Sequence, residues 1–139
     1  MIISLVTGGF DPIHSGHLAL IRGASLYGDV CVGLNSDDWL YRKKGYVWMP
    51  FEDRKEILQG LTHVDRVVGF NDKDDSACEA IYRVSCIYEL DKIVFCNGGD
   101  RTEQNIPEMN FKVKGVELEF AFGVGGTDKI RSSSSLGDK

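Results

Sequence analysis

Short continuous apolar runs alternate along the chain with stretches whose apolar residues recur every three or four positions. Ile2-Ile3-Ser4-Leu5-Val6 and Asp29-Val30-Cys31-Val32-Gly33-Leu34-Asn35 read as buried strands, Val64 to Val68 and Lys92 to Cys96 as a third and fourth, and the alternating Val116 to Phe122 as a fifth. Between them, Leu18, Leu20, Ile21, Ala24 and Leu26 predict a helix that Gly28 can stop. Phe51, Ile57, Leu58 and Leu61 give a second helix its apolar face. Pro50 opens it, Glu52 and Asp53 suit its first turn, and Gly60 weakens or ends it. Ala80, Ile81, Val84, Ile87, Tyr88 and Leu90 mark a third, behind the polar loop Asn71 to Ser76, whose acids read as a solvated, capping cluster. Trp39 to Met49 follows neither rhythm and reads as an irregular aromatic and basic loop. Strand, helix and strand at this spacing make parallel pairs with right-handed crossovers. The expected fold is α/β: a Rossmann-like five-stranded parallel sheet with helices on both faces, an α/β/α sandwich. Ligands in such sheets bind beyond the carboxyl ends of the strands.

The first strand-to-helix turn carries the densest chemistry: Thr7-Gly8-Gly9-Phe10-Asp11-Pro12-Ile13-His14-Ser15-Gly16-His17-Leu18. Gly8 and Gly9 remove side chains where backbone would approach a ligand closely. Pro12 stiffens the loop, and Ser15 is the expected N-cap. His14 and His17 are three apart and can face one side of the helix start. Free N–H groups and the positive end of the helix dipole collect there, a natural phosphate site. An alternative is a metal site using Asp11, His14 and His17, although no further His or Cys spacing supports it.

With 139 residues, 42% of them hydrophobic, the chain fits one domain with one core. No apolar run approaches the length of a membrane span. The N-terminal run is short and lacks a basic leader, so it is not expected to be a signal peptide. The formal charge of −5 argues against a general nucleic-acid or anionic-membrane binder. It does not exclude an anionic substrate, because local charges decide at close range. Cys31, Cys78, Cys86 and Cys96 form no C-x-x-C pair and read as reduced, mostly buried thiols of a cytosolic protein. No repeat or linker divides the chain.

The glycine–histidine turn resembles the H-x-G-H signature of the nucleotidylyltransferase superfamily, with Gly, Phe, Asp, His, Gly and His in register. Further stretches are similar to sugar-phosphate members: Asn35-Ser36-Asp37 followed by Lys44-Gly45, Pro50-x-Glu52-x-Arg54, Val64-Asp65-x-Val67-Val68, and Asn97-Gly98-Gly99-Asp100. The Ser-rich segment from Lys129 to Leu136 is similar more loosely. The resemblance implies transfer of a nucleoside monophosphate from ATP or CTP to a sugar or polyol phosphate, with release of pyrophosphate. It also implies Mg2+ as cofactor and a cytoplasmic homodimer. His14, His17, Lys44 and Arg131 would be the catalytic groups. Thr7, Gly8, Gly9, Phe10, Asp11, Gly16, Asp100, Thr127, Ser132, Ser133 and Ser134 would hold the nucleotide. Asp11, Lys44, Arg54, Asp100 and Arg101 would hold the acceptor, and no residue set stands out as a metal cage.

Two subfamilies fit, heptose-1-phosphate adenylyltransferases and glycerol-3-phosphate cytidylyltransferases. The motifs stand closer to the former, although Asn97 occupies a position that group usually fills with Lys. Gly126-Thr127-Asp128 lacks the cation of the Arg-Thr-Glu run that typifies the latter. A nucleotide-binding module without turnover is the third reading. The family's last helix normally continues beyond Lys139, so residues 1–139 are expected to form one nucleotidylyltransferase domain short of that helix.

Overall fold

The five apolar runs form strands β1 (Ile2–Gly8), β2 (Asp29–Leu34), β3 (Val64–Gly69), β4 (Lys92–Cys96) and β5 (Glu117–Phe122). The computed structural model describes residues 1–99, 101 and 104–126, and the backbone of 129–131. The strands lie in the order β3-β2-β1-β4-β5, and every neighbouring pair is parallel, as the sequence predicts. A short β6 (Lys129–Arg131) extends the sheet, antiparallel to β5. The sequence pattern had assigned those three residues to a Ser-rich loop.

Helices α1 (Ser15–Ala24), α2 (Asp37–Lys44), α3 (Phe51–Gln59) and α4 (Cys78–Ile87) connect the strands, and a 3-10 turn spans Pro107–Asn110. Side chains alternate across a strand, and the core splits accordingly. Ile3, Leu5, Cys31, Ile93, Phe95, Phe120 and Phe122 pack with Ala80, Ile81 and Val84 of α4 on one face. Val6, Val30, Val32, Val94, Cys96 and Ala121 pack with Ile21 and Ala24 of α1 and Leu58 of α3 on the other. Among the described residues, no helix is long and apolar enough to cross a membrane.

Two stretches differ from the pattern-based expectation. Asp37–Lys44 is helix, not irregular loop. Only Leu40 is buried there, so no apolar periodicity marks it. Its ends define it instead: the Ser36 hydroxyl accepts the Trp39 N–H at 3.0 Å, Asp37 and Asp38 occupy the first turn, and Arg42, Lys43 and Lys44 the last. Gly45 closes it at φ 85°, a left-handed conformation that suits glycine. The second difference is Asp72, which is buried rather than solvated. Its carboxylate accepts the Asn35 amide at 3.0 Å, the Ser36 N–H at 2.7 Å and the Ser36 hydroxyl at 2.8 Å. It thereby joins the loop after β3 to the end of β2 and the start of α2.

The connection from β1 leads to β2 on one side, and β4 lies on the other. Strand order therefore reverses between β1 and β4, and the crevice beyond their carboxyl ends is where such sheets hold ligands.

Candidate active site

Leaving β1, the chain turns sharply and enters α1. The N-cap is His14, not Ser15. The His14 ring accepts the Gly16 N–H at its Nδ1 (3.1 Å), and the His17 Nδ1 accepts the His14 N–H (3.1 Å). This is a capping box made from two imidazoles, satisfying donors that a helix start leaves unpaired. The rings stack with centroids 3.8 Å apart and 21° between planes. In a neutral ring whose Nδ1 accepts, the proton lies on Nε2. The turn thus leaves two Nε2–H donors for a ligand. Burial, and then the adjacent His14, lowers the pKa of His17 to about 4, so its ring is neutral at pH 7.

The glycines serve the protein's own packing. A Cβ on Gly16 would lie 3.0 Å from His14 Cε1 and would push that ring outward from the helix start. A Cβ on Gly9 would meet Leu40 Cδ2 at 2.6 Å, and one on Gly8 would meet the Phe10 ring at 3.2 Å. Both positions thus also clear space for α2 and for Phe10. Phe10 itself is buried at φ 51° and sets its edge against His17, with centroids 4.8 Å apart and 63° between planes.

A cleft of about 350 Å³ opens over this turn. Thr7, His14, Gly16, His17 and Leu20 form one wall; Cys96, Asn97, Gly98 and Gly99 at the end of β4 form the other, with Arg101 and Val124 beside them. Thr7, His14, Gly16, His17 and Arg101 are the residues singled out from the sequence that this cleft brings together. Asn97, Gly98 and Gly99 belong to the Asn-Gly-Gly-Asp stretch noted in the sequence, whereas Leu20, Cys96 and Val124 were not singled out, because nothing local marks the crevice between β1 and β4. The Asn97 amide donates to Phe95 O and Ala121 O, both at 3.2 Å, tying the ends of β4 and β5. Val124 reaches the cleft because its loop presses on α1. A Cβ on Gly23 would lie 2.8 Å from Gly125 N, and one on Gly125, at φ 88°, would lie 2.7 Å from the carbonyl carbon of Ala19. Arg101 also lines an adjoining cleft of about 400 Å³ with Asp75, Asn105 and Pro107.

Asp11, Lys44 and Arg54 lie apart from these walls, Asp11 and Lys44 paired with each other and Arg54 bonded elsewhere in the protein. The Asp11 carboxylate accepts the Trp48 N–H (2.8 Å), the Met49 N–H (2.8 Å) and the Lys44 ammonium (3.0 Å). Burial pushes its pKa up, but these donors outweigh burial and hold it below the usual carboxylate range. Lys44 also donates to the Asp11 carbonyl at 2.7 Å and sits over the Tyr46 ring. The neighbouring cations are held as well, Arg42 by Asp72 O and Asp75, and Lys43 by Asp75. The basic cluster at the end of α2 is therefore paired within the protein.

Arg54, expected to face the acceptor, is 1% exposed. Its guanidinium donates to Met49 O (2.9 Å), Gly9 O (2.9 Å), Asn35 O (2.8 Å) and the Asp37 carboxylate. Asp11, His14 and His17 do not converge as metal ligands. Among the described residues, no group of three or more His, Cys, Asp or Glu side chains is placed to hold an ion. Asp100, Thr127, Ser132, Ser133 and Ser134 lie outside the described residues, as does the side chain of Arg131.

A stacked histidine pair stands at the head of α1 and faces the crevice of a parallel sheet. Residues 5–121 match the family model described as Cytidylyltransferase-like, and the chain belongs to that family. It is similar to the bifunctional protein HldE of Wolinella succinogenes, 38% identical over 126 residues, which are 87% of this chain and 24% of that protein. It is also similar to the FAD synthase of Archaeoglobus fulgidus, 31% identical over 71 residues, 51% of each chain. The chain thus spans about a quarter of the length of that HldE protein. The crystal structure of the lipopolysaccharide core biosynthesis protein from Thermoplasma volcanium GSS1 shares the fold. Its TM-score is 0.56 at 21% identity, covering 84% of this chain and 94% of that one.

Proposed function

We propose that this domain transfers a nucleoside monophosphate to a sugar or polyol phosphate with release of pyrophosphate, ATP and a sugar 1-phosphate being the favoured pair. The observation that carries the reading is the histidine pair, whose Nδ1 atoms are spent on capping while two Nε2–H donors remain for phosphate oxygens. An acceptor phosphate monoester has its second pKa near about 6 and is mostly dianionic at neutral pH, so it needs no general base. Its oxygen attacks the α-phosphorus, a new P–O bond forms, and the bond to the β-phosphate breaks as pyrophosphate leaves. The protein's task is to align two anions that repel each other and to stabilise charge on the oxygens around phosphorus.

His14 and His17 donate to the triphosphate, and the α1 N-terminus adds its dipole. Arg101, where the two clefts meet, would hold the acceptor phosphate. The adjoining cleft, with Asp75 and Asn105, offers hydrogen bonds to hydroxyls, which favours a polyhydroxylated acceptor. Mg2+ belongs to this reading as the counter-ion of the triphosphate. The described residues offer it no cluster of ligands. A cytoplasmic homodimer, with sedimentation as its test, completes the reading.

A panel of four triphosphates against heptose, glycerol, ethanolamine and choline phosphates, read by pyrophosphate release, tests it. A preference for CTP with glycerol 3-phosphate, about tenfold or more in kcat/KM, would replace the favoured pair with the cytidylyl alternative. Triphosphate binding with no release for any acceptor would leave a non-catalytic module.

A further inference from the structure

Arg54 is among the largest side chains with essentially no exposure. A buried guanidinium is costly unless its donors are satisfied. Here they reach three carbonyls from three separate stretches: Gly9 in the motif turn, Asn35 after β2, and Met49 before α3. Asp37 at the start of α2 supplies the counter-charge. Met49 is gripped on both sides, because its N–H donates to Asp11 while its carbonyl accepts from Arg54.

The bond to Gly9 O bears on the histidines. It fixes the peptide leading into Phe10, a residue with a side chain held at φ 51°. That left-handed conformation is disfavoured for a non-glycine residue and persists only where its surroundings impose it. Phe10 in turn sets its ring edge against His17.

We propose that Arg54 is a positioning residue: by holding the Gly9 carbonyl it fixes Phe10, and through Phe10 the ring of His17, without touching substrate. The role rests on the nucleotidyl-transfer reading for its effect on turnover, but not for its effect on the ring.

Arg54→Lys keeps the charge and cannot reach all four acceptors. It should lower kcat for pyrophosphate release by about 10–100-fold, the effect of a small misplacement of a reacting group, with KM little changed. The proton signals of His17, displaced by the ring currents of Phe10 and His14, should move toward their free-histidine positions. Wild-type kcat and unmoved His17 signals would overturn the proposal. So would a rise in acceptor KM with kcat and the His17 signals unchanged, since that marks a direct substrate contact. If the wild-type protein releases no pyrophosphate, the functional reading fails while the His17 signals still decide the positioning role. If Arg54→Lys does not melt cooperatively, the wild-type protein suffices. Its Arg54 Nε–H signal should stay in place when ATP or CTP is added with a sugar phosphate, and a move to a new bonding position would overturn the proposal.

Discussion

The His17 Nδ1 accepts the His14 backbone N–H at 3.1 Å while the two rings lie stacked, so one imidazole both caps the helix and presents its opposite edge to the cleft. The two roles separate by substitution. His17→Ala should lower kcat by about 10²–10⁴-fold, the range for losing a positioned polar catalytic group. His17→Asn places an acceptor near the Nδ1 position and should retain about 1 kcal/mol of capping stability over Ala, read by thermal melts. His17→Gln carries an N–H toward the Nε2 position and should keep more activity than Asn. Equal turnover of the Asn and Gln variants would remove the donor role.

The low pKa of His17 makes stability depend on pH with a definite sign. Between pH 6.5 and about 4 the unfolded chain binds a proton on this ring that the folded chain refuses. Its stability contribution is complete above 6.5 and is lost as pH falls toward 4. Asp11 acts in the same direction at lower pH: its folded pKa is depressed, so its contribution is present above the ordinary carboxylate range and lost as pH falls through the depressed value. Urea midpoints should therefore decline from pH 7 to pH 4, and His17→Asn should flatten the upper part of that slope. An unchanged slope in the variant refutes the assignment.

Asp11→Asn should loosen the segment between α2 and α3. One amide oxygen cannot replace two carboxylate oxygens that accept Trp48 N–H, Met49 N–H and Lys44 together. The expected loss is about 1–3 kcal/mol, with faster hydrogen exchange at the Trp48 and Met49 amides. Unaltered exchange at both would show that the carboxylate does not hold the segment.

Phe95→Ala tests the face of the sheet away from the histidines. Phe95 is 1% exposed and meets Phe120 edge-on at 5.9 Å. Truncation should cost about 3–5 kcal/mol, measured by denaturant titration, with the histidine signals unmoved. A cost below about 1 kcal/mol would mean that the core closes around the gap.

The strands and the histidine turn were legible because their signals are local: β-branched runs, and a spaced motif at a strand-to-helix junction. The α2 helix was not, since Asp37–Lys44 carries its signal in caps and charges rather than in apolar rhythm. Ser36, the paired acids and the Lys-Gly end were all visible, but they were outweighed by the missing periodicity. The internal bonding of Arg54, Asp11 and Asp72 was hidden for a different reason. Charged residues read as solvent- or ligand-facing, and their burial here depends on backbone groups 19 to 45 positions away. The crevice wall from Cys96 to Gly99 becomes adjacent to the motif only once β4 has docked against β1.

The contact of the Val124–Gly125 loop with α1 carries a consequence for variation. Each glycine faces backbone: Gly23 meets Gly125 N, and Gly125 meets the Ala19 carbonyl carbon. A Cβ on Gly23 also meets Val124 Cγ1 at 2.8 Å, but trimming that side chain would still leave the clash with Gly125 N, and nothing short of moving main chain relieves one on Gly125. A second-site suppressor of Gly125→Ala would have to shift the helix or the loop bodily, and such shifts displace Leu20 and Val124 in the cleft. Selection on this contact should therefore look one-sided: two intolerant positions with no compensating partner between them.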